Sequence, residues 1–422
     1  MKKLLLILLC LPFIGFGQSW EVILGGSSSD LGESVQQTID GGYIITGMTY
    51  SFGNGTPDVY LVKTDAFGVE QWNNTFTGFS AGGDKGYSVR QTIDGGYIIT
   101  GETSINNLSV SGHIDLYLIK TDANGVEQWS KHYGGGSNDK GKEVQQTNDG
   151  GYIITGYTWI NGSKDIWLMK TDGNGQEQWS QTFDRTYDEE GESVQQTTDG
   201  GYIIASSCDC PDDGFLIKTD ANGVQEWSQN LSGAGYSVQQ TTDGGYIVTG
   251  YISSNSIKDI WLIKTDINGV QQWTHNYGGL SANSVKQTSD EGFIIVGDSL
   301  ISSMPTNRDV YLIKTDTNGI EEWSKTIGGT GIDEGEAVQQ TIDGGYIITG
   351  MTSSSGLGGW DVYLIKTDGS GNITSTFNIP INSNRKLEKV VDMLGKETKP
   401  KTNTPFIEIY DDGTVEKRIV IE

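Results

Sequence analysis

An Asp recurs just upstream of a Gly at five places in this 422-residue chain, as Asp30, Asp84, Asp139, Asp188 and Asp333. If such carboxylates converge, they offer hard oxygen ligands for Ca2+ or acceptors for a polyhydroxylated ligand. If they do not, each caps its own turn by accepting backbone N–H groups. Two related segments, "LSGAGYSV" (231–238) and "GLSANSV" (279–285), lack the Asp.

Other groups are less suited to chemistry. "GFSAG" (78–82) matches the G-x-S-x-G string of a nucleophile elbow, but that elbow needs a strand-to-helix turn and this one lies between strands, so Ser80 reads as a loop serine. "GSNDKGK" (136–142) echoes a phosphate loop, yet Glu143 stands where a Ser or Thr must ligate magnesium. His113, His132 and His275 have no metal-ligand spacing. Cys208 and Cys210, in "CDC", suit a short disulfide, a soft metal or free thiols. The "D-x-N-G" runs begin like calcium loops but lack the later ligands, so they read as turns. No acid–base pair stands apart from the repeated carboxylates. No catalytic residue and no cofactor is assigned, Ca2+ excepted as a candidate ion, and the chain reads as a non-enzyme.

These residues sit in a repeat. The Asp of a "DGG" turn stands at Asp40, Asp94, Asp149, Asp199, Asp243, Asp290 (as "SDEGF") and Asp343, and "KTD" begins at Lys63, Lys120, Lys170, Lys218, Lys264, Lys314 and Lys366. A Lys present in every unit marks architecture. Within a unit "SVQQT" alternates polar and apolar, whereas "YIITG" and "DIWLIKTD" are apolar on both faces, as strands stacked between sheets are. Asn-Gly in "DANG" predicts a two-residue type I′ turn, with φ > 0 at both central residues. A Trp strand such as "VEQWS" follows, completing four antiparallel strands, the content of one propeller blade.

The Trp follows "KTD" at Trp72, Trp129, Trp179, Trp227, Trp273 and Trp323, but the seventh unit, "KTDGSGNITST", has none. Trp20, in "SWEVILGG", supplies it from the other end. The expectation is an all-β, seven-bladed β-propeller of four-stranded antiparallel blades. The N-terminal strand closes the ring and removes its exposed edges. The order "DGGYIITG", "DVYLIKTD", "NGVEQW" resembles a kelch blade, and "KTDANGVEQW" is similar to the tryptophan-docking motif of quinoprotein propellers. The resemblance implies architecture over residues 20–372 and carries no activity.

The "DGG" and "D-x-N-G" turns hardly vary and lie on one side of the ring. The connections on the other side differ from blade to blade, as binding loops on a rigid scaffold do. They contribute Tyr50, Trp159 and Trp360 as candidates for stacking on a sugar or anchoring a protein ligand.

The ends of the chain differ from its middle. "MKKLLLILLCLPFIGFGQ" has two Lys, an apolar run and small or polar residues at Gly17 and Gln18, the pattern of a secretory signal peptide (1–17) cleaved near that point. No later run is apolar and long enough to span a membrane. The formal net charge is −26, while the last 38 residues, from Arg385, carry eight basic and eight acidic side chains. The acidity therefore belongs to the middle, which repels phosphate backbones, so nucleic acid is no partner. The tail words "KVVDMLGKE" and "EIYDDGTVEKRIVIE" resemble the C-terminal sorting domain of cargo of the type IX secretion system of Bacteroidota. The resemblance covers Asp392, Gly395, Asp411, Asp412, Gly413, Lys417 and Arg418.

Three segments follow: signal peptide 1–17, propeller 18–376 and a small β sorting domain 377–422. The expected protein is a secreted or cell-surface monomer, a binding or adhesion module for a glycan or protein whose tail engages secretion machinery. The alternatives are a propeller enzyme acting on extracellular polysaccharide, a quinoprotein-like oxidoreductase, or a purely structural surface repeat.

Overall fold

A computed structural model describes residues 19–418 apart from 80–81, 106–111, 186, 210–213, 255–256, 301–306, 374–386, 392–395, 397, 400–405 and 411–414. Ser80, Cys210, the cleavage residues Gly17 and Gln18, and Asp392, Gly395, Asp411, Asp412 and Gly413 fall outside the described residues. The chain forms two compact units, Met1–Thr374 and Ser375–Glu422.

The first unit is seven four-stranded antiparallel sheets. Blade 1 runs Asp30–Gln37, Tyr43–Thr49, Asp58–Thr64 and Glu70–Phe76 from inside to outside. The other inner strands are Asp84–Gln91, Asp139–Gln146, Glu189–Gln196, Ala234–Gln240, Ser281–Gln287 and Asp333–Gln340. Each inner strand meets the next, and the last meets the first, so they surround a central channel. Blade 7 takes Asp333–Gln340, Tyr346–Thr352 and Asp361–Thr367 from the end of the propeller and Trp20–Leu24 from its start, paired Trp20↔Lys366 through Leu24↔Val362. The ring closes on its own N-terminal strand.

Second and third strands are buried on both faces, as in Asp58–Thr64 where every residue is buried. Outer strands expose their first residues and half-bury the Trp. Each Trp packs on the aromatic residue that opens the next blade's second strand. Trp20 meets Tyr43 edge-on at 5.7 Å, Trp72 tilts on Tyr97 at 5.9 Å, and Trp323 on Tyr346 closes the series. Such pairs add about 0.5–1.5 kcal/mol each beyond the area they bury.

The "D-x-N-G" turn is not type I′. Among the described residues only Asn161 and Glu291 have positive φ outside glycine, so the Asn of each run stays on the negative side. Gly125 takes φ +75° alone, with its N–H on the Asp122 carbonyl at 3.1 Å, and the ladder slips by one residue at Lys120/Thr121. This is a type I turn with a left-handed Gly and a bulge, which three-residue hairpins use. The choice has a packing reason, because a Cβ on Gly125 would stand 2.5 Å from the Trp72 ring.

The Lys of "KTD" is buried in every blade, its Nζ on the Asp of its own "DGG" turn, as in Lys63–Asp40 at 2.9 Å and Lys366–Asp343 at 3.0 Å. It also donates to a carbonyl on its own strand, Thr64 in blade 1. A buried ammonium is tolerated only when its donors are satisfied, so the pair fixes the turn against the third strand. A glutamine then ties each blade to its neighbour. The Gln37 carboxamide oxygen accepts the Ile342 N–H and that of Gln340 accepts the Ser289 N–H, and the same bond recurs between every adjacent pair.

The second unit contains a three-stranded antiparallel sheet, Leu387–Val391, Phe406–Tyr410 and Val415–Arg418. Lys417 and Arg418 pair with Ile407 and Phe406.

Candidate functional site

Asp30, Asp84, Asp139 and Asp333 each open an inner strand and are buried. None of the four is among the residues that line the central cavity. Each accepts a backbone N–H from the preceding connection, from Gly26, Gly78, Gly135 and Gly329 at 2.7 to 2.9 Å. Hydroxyls add to this, Ser51 on Asp30 and Ser354 on Asp333. In blade 4 the position belongs to Glu189 and not to Asp188. Glu189 opens the strand and accepts the Tyr187 N–H, whereas Asp188 lies one residue earlier and accepts that of Lys164.

Sequence reading missed a second carboxylate facing these. A Cβ on Gly25 would meet Asp30 and Asp361 oxygens both at 2.6 Å, and Gly134 and Gly328 stand likewise between Asp139 and Asp115 and between Asp333 and Asp309. Burial, then the neighbouring Asp333 charge, pushes the Asp309 carboxyl up. Among the described residues Asp165, Asp184 and Glu189 bring oxygens within 4.8 Å of one another. The second carboxylate is the first letter of "DVYL" at Asp309 and Asp361 and of "DLYL" at Asp115, and the recurrence of that pattern hid it.

The three aromatic candidates stay apart. Tyr50 is exposed after the second strand of blade 1, Trp159 is half-buried on the second strand of blade 3, and Trp360 is half-buried before the third strand of blade 7, its carbonyl accepting the Asp30 N–H. No ring contact joins them among the described residues. Cys208 is disulfide-bonded. Two of the three histidines converge although their spacing gave no sign of it. His132 Nδ1 lies 2.7 Å and His113 Nε2 3.3 Å from the Asp115 carboxylate, with Phe79 over His132 at 4.5 Å.

The channel is where the blades differ. Every inner strand carries a β-bulge after its second or third residue, leaving one residue unpaired: Glu33, Tyr87, Lys142, Glu192, Tyr236, Asn283 and Glu336. A bulge re-aims its extra side chain, and all seven line one cavity of about 280 Å³ bounded by the seven inner strands. Lys142 lies 3.2 Å from Glu192 and 3.3 Å from Glu190; burial opposes its charge, and the two carboxylates override this and hold the ammonium above its usual range. Glu33 pairs with Lys85 at 2.6 Å. Glu336 has no hydrogen bond or ion pair among the described residues. Burial and then Glu33, with Asp298 and Glu334, push its carboxyl well above the ordinary range.

Three residues further along each strand a girdle of glutamines closes the cavity. Gln36, Gln145, Gln195, Gln239 and Gln339 accept the backbone N–H of the next blade at 2.6 to 2.8 Å. Arg90 and Lys286 replace the other two. Arg90 reaches Glu143 at 2.5 Å. Lys286 has no hydrogen bond or ion pair among the described residues; burial lowers its pKa, the Arg90 charge adds to this, and Glu143 opposes it.

The fold defines a seven-bladed β-propeller. No protein-family model matches the sequence, and no curated protein matches it. Among solved structures the chain is similar to the WD40 propeller domain of Doa1, at 13% identity and TM-score 0.52, covering 84% of this chain and 98% of that one. It is also similar to the Pan2 WD40 domain of Neurospora crassa, at 12% identity and TM-score 0.51, covering 84% and 97%. A streptogramin B lyase aligns at 10% identity and TM-score 0.48, covering 82% and 96%. At these identities the likeness is one of fold.

Proposed function

We propose that the chain is a non-catalytic binding or adhesion propeller for a glycan or protein ligand, working at the cell surface or outside the cell. In this reading the C-terminal unit directs export by a type IX-like route. One observation carries the binding role. Blades that agree in their Lys–Asp pairs, Trp–aromatic contacts and turns place acidic, basic, amide and aromatic side chains at the bulges facing one cavity: Glu33, Glu192 and Glu336, Tyr87 and Tyr236, Lys142 and Asn283. A purely structural repeat has no need of that divergence, and uniform scaffolds with variable faces are how binding is hosted.

The acidic body fits a role among extracellular glycans and proteins better than one on nucleic acid. No described helix is long and apolar enough to cross a membrane.

A glycan array and a cell-surface protein capture with the purified chain test the reading. Specific binding without any product released from the bound glycan is expected, and Tyr87→Ala or Tyr236→Ala, at the bulges that line the cavity, should weaken it. Product formation, or no binding in either format, overturns it. Export is tested by deleting 377–422: the truncated chain should stay inside the cell envelope, and undiminished release refutes the sorting role.

A further inference from the structure

The girdle of glutamines is a structural device, and the chain gives it up in two of seven blades. Where Gln36, Gln145, Gln195, Gln239 and Gln339 stand, each side chain accepts a backbone N–H across a blade boundary. At Arg90 and Lys286 that acceptor is gone, so Gln146 and Gln340 lose the bond their counterparts keep. Both replacements are cations, and both face the same cavity. A repeat that departs from its own rule at a stability cost points to a functional position. Arg90 is engaged by Glu143, but the Lys286 side chain has no direct partner among the described residues, although it comes under the fields of Glu143 and Arg90 from the far side of the channel.

The opposite group stands one level away. Glu336, at the bulge of blade 7, lines the same cavity, its side chain without a direct partner among the described residues. Lys286 sits three residues beyond the blade 6 bulge residue Asn283, so the levels of the two groups differ by about 10 Å along the strands at roughly 3.3 Å per residue. The cavity between them is about 280 Å³, near the lower end of small-molecule pockets. Its wall is polar, with serines at 34, 88, 193, 237 and 284. An unpaired ammonium and an unpaired carboxyl at two depths of one small polar cavity are complementary to a molecule carrying the reverse pair.

We propose that the central channel binds a small zwitterion of the amino-acid class, its carboxylate on Lys286 and its ammonium on Glu336 beside Glu33. This deepens the reading of the propeller as a binding module and rests on it. No bond is made or broken. The carboxylate supplies Lys286 with the counter-ion it lacks, and the ammonium does the same for Glu336.

Calorimetric titration of the full chain with 6-aminohexanoate, hexanoate and hexylamine tests the proposal, with glycine and 4-aminobutyrate as shorter probes. The doubly charged six-carbon probe should bind about tenfold or more tightly than either single-ended one, and the shorter zwitterions more weakly. Lys286→Gln restores the girdle residue and should fold at least as stably, since Gln340 regains an acceptor. It should lose the affinity for 6-aminohexanoate while leaving hexylamine unchanged. Glu336→Gln should lose the same affinity while leaving hexanoate unchanged. Equal affinities for the three six-carbon probes, no heat from any of them at about 10 mM, or unaltered 6-aminohexanoate binding by Lys286→Gln overturns the proposal. If the zwitterions fail and a glycan or surface protein still binds, this assignment falls alone and the broader reading stands.

Discussion

Replacing Asp298 by Asn should stabilise the propeller at neutral pH and leave it unchanged near pH 4. Asp298 lies on the second strand of blade 6 (Phe293–Leu300), is buried, and accepts the Gly335 N–H at 3.1 Å across the boundary to blade 7. Burial, and after it the Glu334 charge, pushes its carboxyl from the ordinary 3.8 up to about 7. Between those two values the folded chain keeps a proton that the unfolded chain has released. Stability therefore falls by about 1.4 kcal/mol per pH unit as pH rises. Over roughly three pH units the loss approaches 4 kcal/mol; it is absent below the unfolded value and complete above pH 7. Asn has the shape of the protonated acid and still accepts the Gly335 N–H, so it removes the titration without removing the hydrogen bond. Urea midpoints of parent and Asp298→Asn at pH 4, 5, 6, 7 and 8 give the comparison. The two curves should coincide at pH 4 and separate steadily to pH 7, the variant above. Parallel curves, or a variant that is less stable at pH 8, refute the reasoning. Taking the difference at each pH cancels the carboxylates that do not feel Asp298, leaving its own titration and that of its neighbours Glu334 and Glu336.

Trp20→Ala should cost about 3–5 kcal/mol, the range for truncating a buried Trp, because Trp20 loses both Tyr43 and the Gly68 turn it packs on. Size-exclusion chromatography should show association at high concentration as the blade 7 edge loosens, and an unchanged melting temperature would contradict the closure argument. Glu291 holds φ +66° at the turn position where the other six blades have Gly. Glu291→Gly should therefore raise stability by about 0.5–1 kcal/mol, measured as a rise in urea midpoint.

The blade count and the closure were legible because each unit spells out the same contacts. Only one "KTD" lacks its Trp, which places Trp20 in blade 7, and the pairing Trp20↔Lys366 is the physical form of that absence. The turns were misread because Asn-Gly is shared by two hairpin types. The bulge that separates them depends on a tertiary contact, the Gly against the previous blade's Trp. The channel residues were invisible for a related reason. Glu33 or Tyr87 in "GES" and "GYS" reads as an ordinary place in an alternating strand, and only the slip in register turns it inward. The recurring Asp is visible in the sequence, but its partner across the blade boundary opens a strand that otherwise reads as apolar on both faces. In blade 4 the recurring residue type points to Asp188, whereas the fold selects the position one step later, which Glu189 fills as any carboxylate can.

The seam in blade 7 gives the ring a kinetic history. Trp20 and Lys366 are the ends of nearly the whole propeller sequence, so a chain made from its N-terminus carries an unpaired strand at each end until the last blade exists. The entropy of bringing such distant ends together grows only slowly with length, but the wait is long. During it, the same edge is offered to a neighbour: the first strand of one chain fits the last blade of another as well as its own. Two open chains that meet first would exchange strands and close as a reciprocal dimer with every native contact in place. Dilution during refolding, rather than any change of sequence, then decides between one ring and two interlinked ones.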